Sequence, residues 1–297
     1  MTTMPTAQPM QPPGTPTLRC GVILPGGTAP EQLELAALAD RSGWDGVFVW
    51  ECAYGVDAWS LLAAMAVRTQ RVRLGTLLTP LPWRRPWKVA SQAATLDQLS
   101  AGRAVLAVGV GAIDPDLPQT GEATELRARA AMMDEGIDLI RGLWSGATQF
   151  HGLHYQYTCA HDDLGQVGRP VQERIPIWVV GAWPRPRSMR RVLRCDGVIP
   201  EYHLGGRAGA PDDVRDLRAW LNEHAGPADP PSVSAIDVIA EGETPADDPA
   251  AAAAHVGPWA AAGCTWWLET RWELPHHTAE RLNQVRERIA AGPPRLL

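Results

Sequence analysis

The chain has a single lysine, Lys88, only two phenylalanines, and no apolar run near the roughly 20 residues that a membrane helix requires. Its other basic residues are arginines, which suit phosphate and carboxylate recognition but also follow from codon bias alone. The five cysteines, Cys20, Cys52, Cys159, Cys195 and Cys264, are scattered and never spaced CxxC. That pattern excludes a disulfide framework or zinc knuckle and suits free thiols in a reducing cytoplasm. Eight histidines contain no HExxH pair, so no metal site is expected, and His276 and His277 diverge because they are adjacent. A GxSxG elbow and a phosphate loop ending GK[ST] are also missing. The formal net charge of −6 argues against nucleic acid or an anionic membrane as partner. Residues 1–17, MTTMPTAQPMQPPGTPT, have neither the basic start nor the apolar centre of a secretory signal, and their composition predicts a disordered tail.

What is present is a sizeable core: hydrophobic residues make up 45% and charged residues 20%. Residues 71–111, RVRLGTLLTPLPWRRPWKVASQAATLDQLSAGRAVLAVGVG, read as strand, proline-marked loop, helix, strand. Pro86 suits a first helical turn, Val89, Ala93 and Leu96 share one helical face, and Gly102 stops the helix. The apolar run at 104–108 predicts a strand buried on both faces. Similar units recur, with further strands expected at 19–24, 46–50, 177–180, 197–200, 233–240 and 265–268. Helices are expected at 58–68, 125–143, 186–194, 212–225, 249–262 and 278–291, with the first one capped by Thr28 and Glu31 and stopped at Gly43. An insertion at about 145–175 carries a short hairpin in GATQFHGLHYQYT. Eight parallel β-α units favour a closed (β/α)8 barrel over residues 18–297, rather than an open doubly wound sheet.

In such a barrel the chemistry sits at the carboxyl ends of the strands. Those ends supply Trp50, Glu51 and Cys52, Thr76 and Leu77, Gly109, Val110 and Gly111, Gly181, Ala182 and Trp183, then Glu201, Tyr202, His203, Glu241 and Glu269. The carboxylates Glu51, Glu201 and Glu269 and the thiol of Cys52 are the candidate catalytic groups. Gly109 and Gly111 let backbone approach a flat ligand, though a plain tight turn explains them equally. Asp114 occupies the third glycine position of a dinucleotide fingerprint, and Pro115 and Pro118 obstruct a following helix, so a Rossmann site is excluded. Gly181 to Arg187 is the best phosphate candidate, a helix start flanked by Arg185 and Arg187. A solvated basic helix face is the alternative there. Glu201 with Glu269 would also serve a barrel glycoside hydrolase.

RVRLGTLLTP, RRPWKVASQAATLDQLSAGR and AVLAVGVG resemble segments of the luciferase-like monooxygenases, which use flavin or the deazaflavin coenzyme F420. SGWDGVFVW, MMDEGIDLIRGLWSG and RIPIWVVGAWPRPRSMRRVLRCDGVIP extend the likeness from Val22 to Pro200, in the family's order. The resemblance implies a TIM barrel of the bacterial-luciferase type and an oxidoreductase acting on a small organic substrate. It implies reduced FMN as cofactor, with F420 as the alternative, a separate flavin or F420 reductase, and allows a homodimer. A non-catalytic flavin carrier is the third reading. It also implies a non-proline cis peptide within residues 76–78 and cofactor contacts from Trp50, Thr76, Leu77, Gly109, Val110, Gly111, Gly181, Ala182, Trp183, Arg185 and Arg187. Cys52 stands where many members carry a catalytic histidine, and Ala112 where the deazaflavin sugar-phosphate dehydrogenases carry glutamate. Both departures lean towards FMN.

Overall fold

Each barrel strand is an apolar run because both of its faces are covered, one by the barrel interior and one by helices. A computed structural model describes residues 18–111, 121–159, 168–202, 208–226, 236–270 and 279–296. The tail, Ala112, Asp114, Pro115, Pro118, His203, the first residues of the seventh expected strand, and His276 and His277 lie outside these. Strands β1 (Arg19–Ile23), β2 (Gly46–Val49), β3 (Arg73–Pro80) and β4 (Ala104–Gly109) precede a two-stranded hairpin, β5 (Gln149–His151) and β6 (Gln156–Thr158). Strands β7 (Ile177–Ala182), β8 (Gly197–Glu201), β9 (Asp237–Gly242) and β10 (Trp266–Glu269) follow. The eight long-range strands pair in parallel and close in the order β1-β10-β9-β8-β7-β4-β3-β2. The closed barrel, not the open sheet, is therefore the architecture.

Among the described residues the helices are α1 (Ala29–Ser42), α2 (Ala58–Arg68), α3 (Pro86–Leu99) and α4 (Leu126–Trp144). They continue with α5 (Pro186–Val192), α6 (Pro211–His224), α7 (Pro249–Ala261) and α8 (Ala279–Ala290). None is long and apolar enough to cross a membrane. Local chemistry sets their ends. Thr28 and Glu31 form the expected capping box, and Gly43, at φ 89°, closes α1 in a conformation that disfavours other residues. Asp57 accepts from the Ser60 N–H to start α2. Strand β7 runs past the expected limit of Val180 because Gly181 and Ala182 still pair with Pro200 and Glu201. Helix α5 stops at Val192, two residues short of the expected limit. In the insertion, the N–H groups of Leu153, His154 and Tyr155 all donate to Glu135 on α4. Burial opposes it, but these donors hold the Glu135 carboxyl below its ordinary range.

Two apolar layers result. Val22, Leu74, Val108, Val179 and Val238 point outward into the helix layer. Ile23, Phe48, Leu77, Val105, Ala107, Trp178, Ile199, Ile239, Trp266 and Leu268 fill the barrel. Phe48 and Trp178 lie 5.2 Å apart, and Trp178 meets Trp266 edge-on at 5.2 Å. Room for these rings comes from inward-facing glycines. A Cβ on Gly197 would stand 2.4 Å from Trp178 Cδ1, and one on Gly46 2.9 Å from Phe48 Cε2. Gly75 allows a different close approach, to the Val105 carbonyl oxygen, 2.3 Å from where its Cβ would stand.

The fit predicts that Gly197→Ala destabilises the barrel by about 1–3 kcal/mol through overpacking. Urea unfolding at constant m-value should report it; a change below about 0.5 kcal/mol, the usual size for a neutral surface substitution, would contradict the packing account.

Candidate active site

Side chains alternate along each strand, so a residue's parity decides whether it faces the barrel mouth or the helices. On β7, Trp178 and Val180 belong to the interior and Val179 to the outer layer. Ala182 therefore faces the mouth, while Gly181 and Trp183 face outward. A Cβ on Gly181 would come 2.7 Å from Val198 Cγ2 and 3.1 Å from Val192 Cγ2, so this glycine lets α5 close on the wall. The Trp183 ring meets Trp220 of α6 at 6.3 Å. The Trp183 ring and the space beside Gly181 thus face the helices rather than the mouth. Gly109 faces inward, with Leu78 Cδ1 2.9 Å from where its Cβ would be, whereas Val110 packs on the outer core. Gly111, at φ 78°, abuts Pro80 and Trp83. The buried Arg129 of α4 donates to the carbonyls of Val110 and Gly111 at 2.8 and 2.6 Å and holds this turn in place.

Strand β3 breaks the simple alternation. Its pairing with β4 slips between Thr76 and Thr79, and the Leu77–Leu78 peptide is cis, within the span the resemblance implies. Leu77 and Leu78 both join the interior cluster, as does Trp50 at the end of β2. Thr76 is fully buried in the wall and bonds Thr79 Oγ1 at 2.9 Å. The guanidinium of Arg281, from α8, lies 5.5 Å from the Trp50 ring centroid, a cation–π contact. The mouth is therefore walled by Trp50, Leu77, Leu78, Gly109, Val180 and Ala182.

The candidate acids occupy three different settings. Glu51 lies in the wall with a side chain only 5% exposed, accepting from Thr79 Oγ1, Trp59 Nε1 and Arg84. Burial pushes its carboxyl above the ordinary value, against the pull of Thr79, Arg84 and Trp59. Cys52, the next residue, is exposed. Glu201 is exposed at the end of β8, opposite Ala182. Glu269 is 3% exposed on the helix side, where Thr244 donates from both N and Oγ1 and Arg288 stands 3.5 Å away. Burial raises its carboxyl as well, opposed first by Arg288. Glu269 thus pins α8 to the wall, and a small crevice beside it is lined by Val22, Val285 and Ile289. Glu201 and Glu269 do not face one another, which removes the basis for a glycosidase pair. Arg185 and Arg187 are exposed at the start of α5, where the Arg185 N–H donates to Ala182 O and Ser188 Oγ accepts from the Ala182 N–H.

Arg84, Trp59, Arg129, Arg281 and Arg288 were not expected from the sequence. Two signals were available: Arg129 shares the buried stripe of α4 with Met133 and Ile137, and Arg281, Val285 and Arg288 recur at helical spacing on the buried face of α8. An arginine inside an apolar stripe marks a buried contact.

The site thus combines a closed parallel barrel, an apolar wall at its mouth, and two strand-end carboxylates, Glu51 and Glu269, tied into wall and helix contacts. The family model for luciferase-like monooxygenases matches residues 5–294, and the chain belongs to that family. A relative from Mycobacterium tuberculosis, provisionally named a coenzyme F420-dependent oxidoreductase, is 32% identical over 79% of this chain and 69% of its own. The F420-dependent glucose-6-phosphate dehydrogenase of Amycolatopsis mediterranei is 34% identical over 60% of this chain and 50% of its own. The oxygenase component of flavin-dependent trigonelline monooxygenase from Acinetobacter baylyi is 26% identical over 65% and 52%. The chain thus spans about half the length of these last two relatives. Among solved structures, a monooxygenase from Streptomyces bottropensis superposes with TM-score 0.72 at 20% identity, covering 92% of this chain and 98% of that one. The coenzyme F420-dependent tetrahydromethanopterin reductase of Methanopyrus kandleri shares the fold at TM-score 0.67 and 16% identity, covering 93% and 98%. The relatives are oxidoreductases and monooxygenases, and this chain is an enzyme of that kind.

Removing the Glu269 carboxylate leaves Arg288 charged and buried, which typically costs about 3–5 kcal/mol. Glu269→Ala should lose that much in urea unfolding, and Glu269→Gln, which keeps an acceptor for Thr244, clearly less. Losses below about 1 kcal/mol for both, less than one ordinary hydrogen bond, would contradict the clamp.

Proposed function

We propose that the enzyme oxidises or oxygenates a small organic molecule with reduced FMN, the ring lying against the wall formed by Trp50, Leu77, Leu78 and Ala182. One observation carries this reading: the wall made by Trp50, Leu77, Leu78, Gly109, Val180 and Ala182 is apolar, and the buried acids Glu51 and Glu269 are tied into wall and helix contacts. An apolar wall flanked by the Arg129-held turn suits a flat aromatic ring, which would carry the redox chemistry. When bound, the cofactor supplies the electrons, with oxygen as acceptor for FMN and direct hydride transfer for F420. The chain's own residues orient the ring, exclude water and hold the phosphate. Arg187 and Ser188 sit at a helix start whose first N–H groups have no intrahelical acceptor, and Arg185 and Arg187 add positive charge. The exposed thiol of Cys52, in place of an imidazole, favours FMN. The F420 reading is favoured by the names of the Mycobacterium and Amycolatopsis relatives. With FMN, a separate reductase is the expected partner, as for the relative named an oxygenase component. Glu201 and Cys52 are the groups we assign nearest the substrate, and a homodimer is the assembly we expect.

Titrating the purified protein with FMN and with F420, followed by cofactor fluorescence, tests the reading. Saturable binding of one of them at one per chain is expected; binding of neither overturns it. Alanine at the phosphate-contacting arginine, Arg185 or Arg187, should weaken the preferred cofactor about tenfold to a hundredfold, as for a lost charge-assisted bond. Riboflavin, which lacks phosphate, should be nearly unaffected; equal losses would place the phosphate elsewhere.

A further inference from the structure

Glu51 is one of the candidate catalytic carboxylates, yet its carboxylate is fully engaged. Oε1 accepts from Arg84, and Oε2 from the Thr79 hydroxyl and, at 3.2 Å, from Trp59 Nε1. Arg84 in turn donates to Gln92 of α3 at 2.9 Å. An ionised carboxylate only accepts, so the single hydroxyl proton of Thr79 is spent on Glu51. Thr79 Oγ1 must therefore accept in its 2.9 Å contact with Thr76, and Thr76 is the donor. The 3.4 Å approach of Thr76 Oγ1 to Ala107 O is left without a proton. A one-way chain of donation thus runs from Thr76 through Thr79 to Glu51 and brackets Leu77 and Leu78. Those two side chains are what this part of the wall presents to the mouth, and the Leu78 methyls occupy the space that Gly109 leaves open.

We propose that Glu51 is a positioning residue rather than a catalytic one: through Thr79 and Thr76 it fixes where Leu77 and Leu78 stand, and so sets the surface against which the cofactor ring lies. The ring part of this inference rests on the function proposed above; the anchoring of residues 76–79 does not. Glu51 links four elements: the end of β2, the slipped segment of β3, the Arg84 turn and α2. Through this carboxylate the hydrogen bonds of Arg84 and Trp59 are joined to the Thr79 hydroxyl.

The decisive variants are Thr79→Val, which keeps shape and removes the hydroxyl, and Thr79→Ser, which restores it. Glu51→Gln reads the same link from the other end, because its amide sets a donor against Trp59 Nε1 or Thr79. Amide hydrogen exchange of the cofactor-free protein is the first readout. Exchange in residues 76–79 should quicken about tenfold in Thr79→Val and Glu51→Gln, return in Thr79→Ser, and stay unchanged in β8 to β10. Unchanged exchange in residues 76–79 of a folded variant overturns the proposal whether or not a cofactor binds. Affinity is the second readout: Thr79→Val should weaken FMN and riboflavin alike, by about tenfold, with the bound-ring absorption shifted. A loss for FMN alone, or an unaltered bound spectrum at unaltered affinity, overturns the ring-positioning role. If the wild type binds neither FMN nor F420, the proposed function fails and the exchange result still decides the anchoring.

Discussion

The barrel interior must accommodate two indoles and a phenyl ring, and everything above them depends on how that is done. Phe48, Trp178 and Trp266 meet at 5.2 to 6.1 Å, in a space that Gly21, Gly46 and Gly197 leave open. Among the described residues, the indole N–H groups of Trp178 and Trp266 find no acceptor, a cost that close packing and apolar burial offset. The rings fill the lower barrel and form an apolar floor. Ligand chemistry is then confined to the strand ends, where Trp50, Leu77, Leu78 and Ala182 stand above that floor.

Charge at the strand ends is managed by pairing. Glu51 and Glu269 are both buried and both raised by desolvation, and each is held by an arginine from a later element, Arg84 or Arg288. Such pairs contribute little net stability but are expensive to break, so they act as geometric pins. One pins the slipped segment of β3 and the other pins α8. With these two carboxylates tied down, the wall at Trp50, Leu77, Leu78 and Val180 is left apolar.

Much of the architecture was legible in the sequence because buried parallel strands are apolar runs and helix ends carry local signatures such as Thr28 with Glu31, Pro86 and Gly43. Limits were missed by a residue or two where pairing outlasts the apolar run, as at Gly181 and Ala182. The candidate site was legible as a ring of strand ends but not as a set of facing directions. Alternation along β7 would have separated Ala182 from Gly181 and Trp183. On β3 it fails, because the slip between Thr76 and Thr79 resets the parity and puts Leu77 and Leu78 on the same side. The arginines that organise the wall act across 33 residues, Arg84 on Glu51, and 19 residues, Arg129 on Val110, and leave no short-range pattern beyond a charge on an apolar helical stripe.

The central claim is that the inward-facing strand ends, and not the residues beside them, receive the cofactor. Cofactor affinity of Ala182→Trp compared with Trp183→Ala tests it most directly, since the two positions are adjacent and face opposite sides of β7. Ala182→Trp should abolish saturable binding of FMN or F420 by filling the mouth, while Trp183→Ala, facing Trp220 on the helix side, should bind as the wild type does. Wild-type binding by Ala182→Trp together with loss in Trp183→Ala would contradict the account.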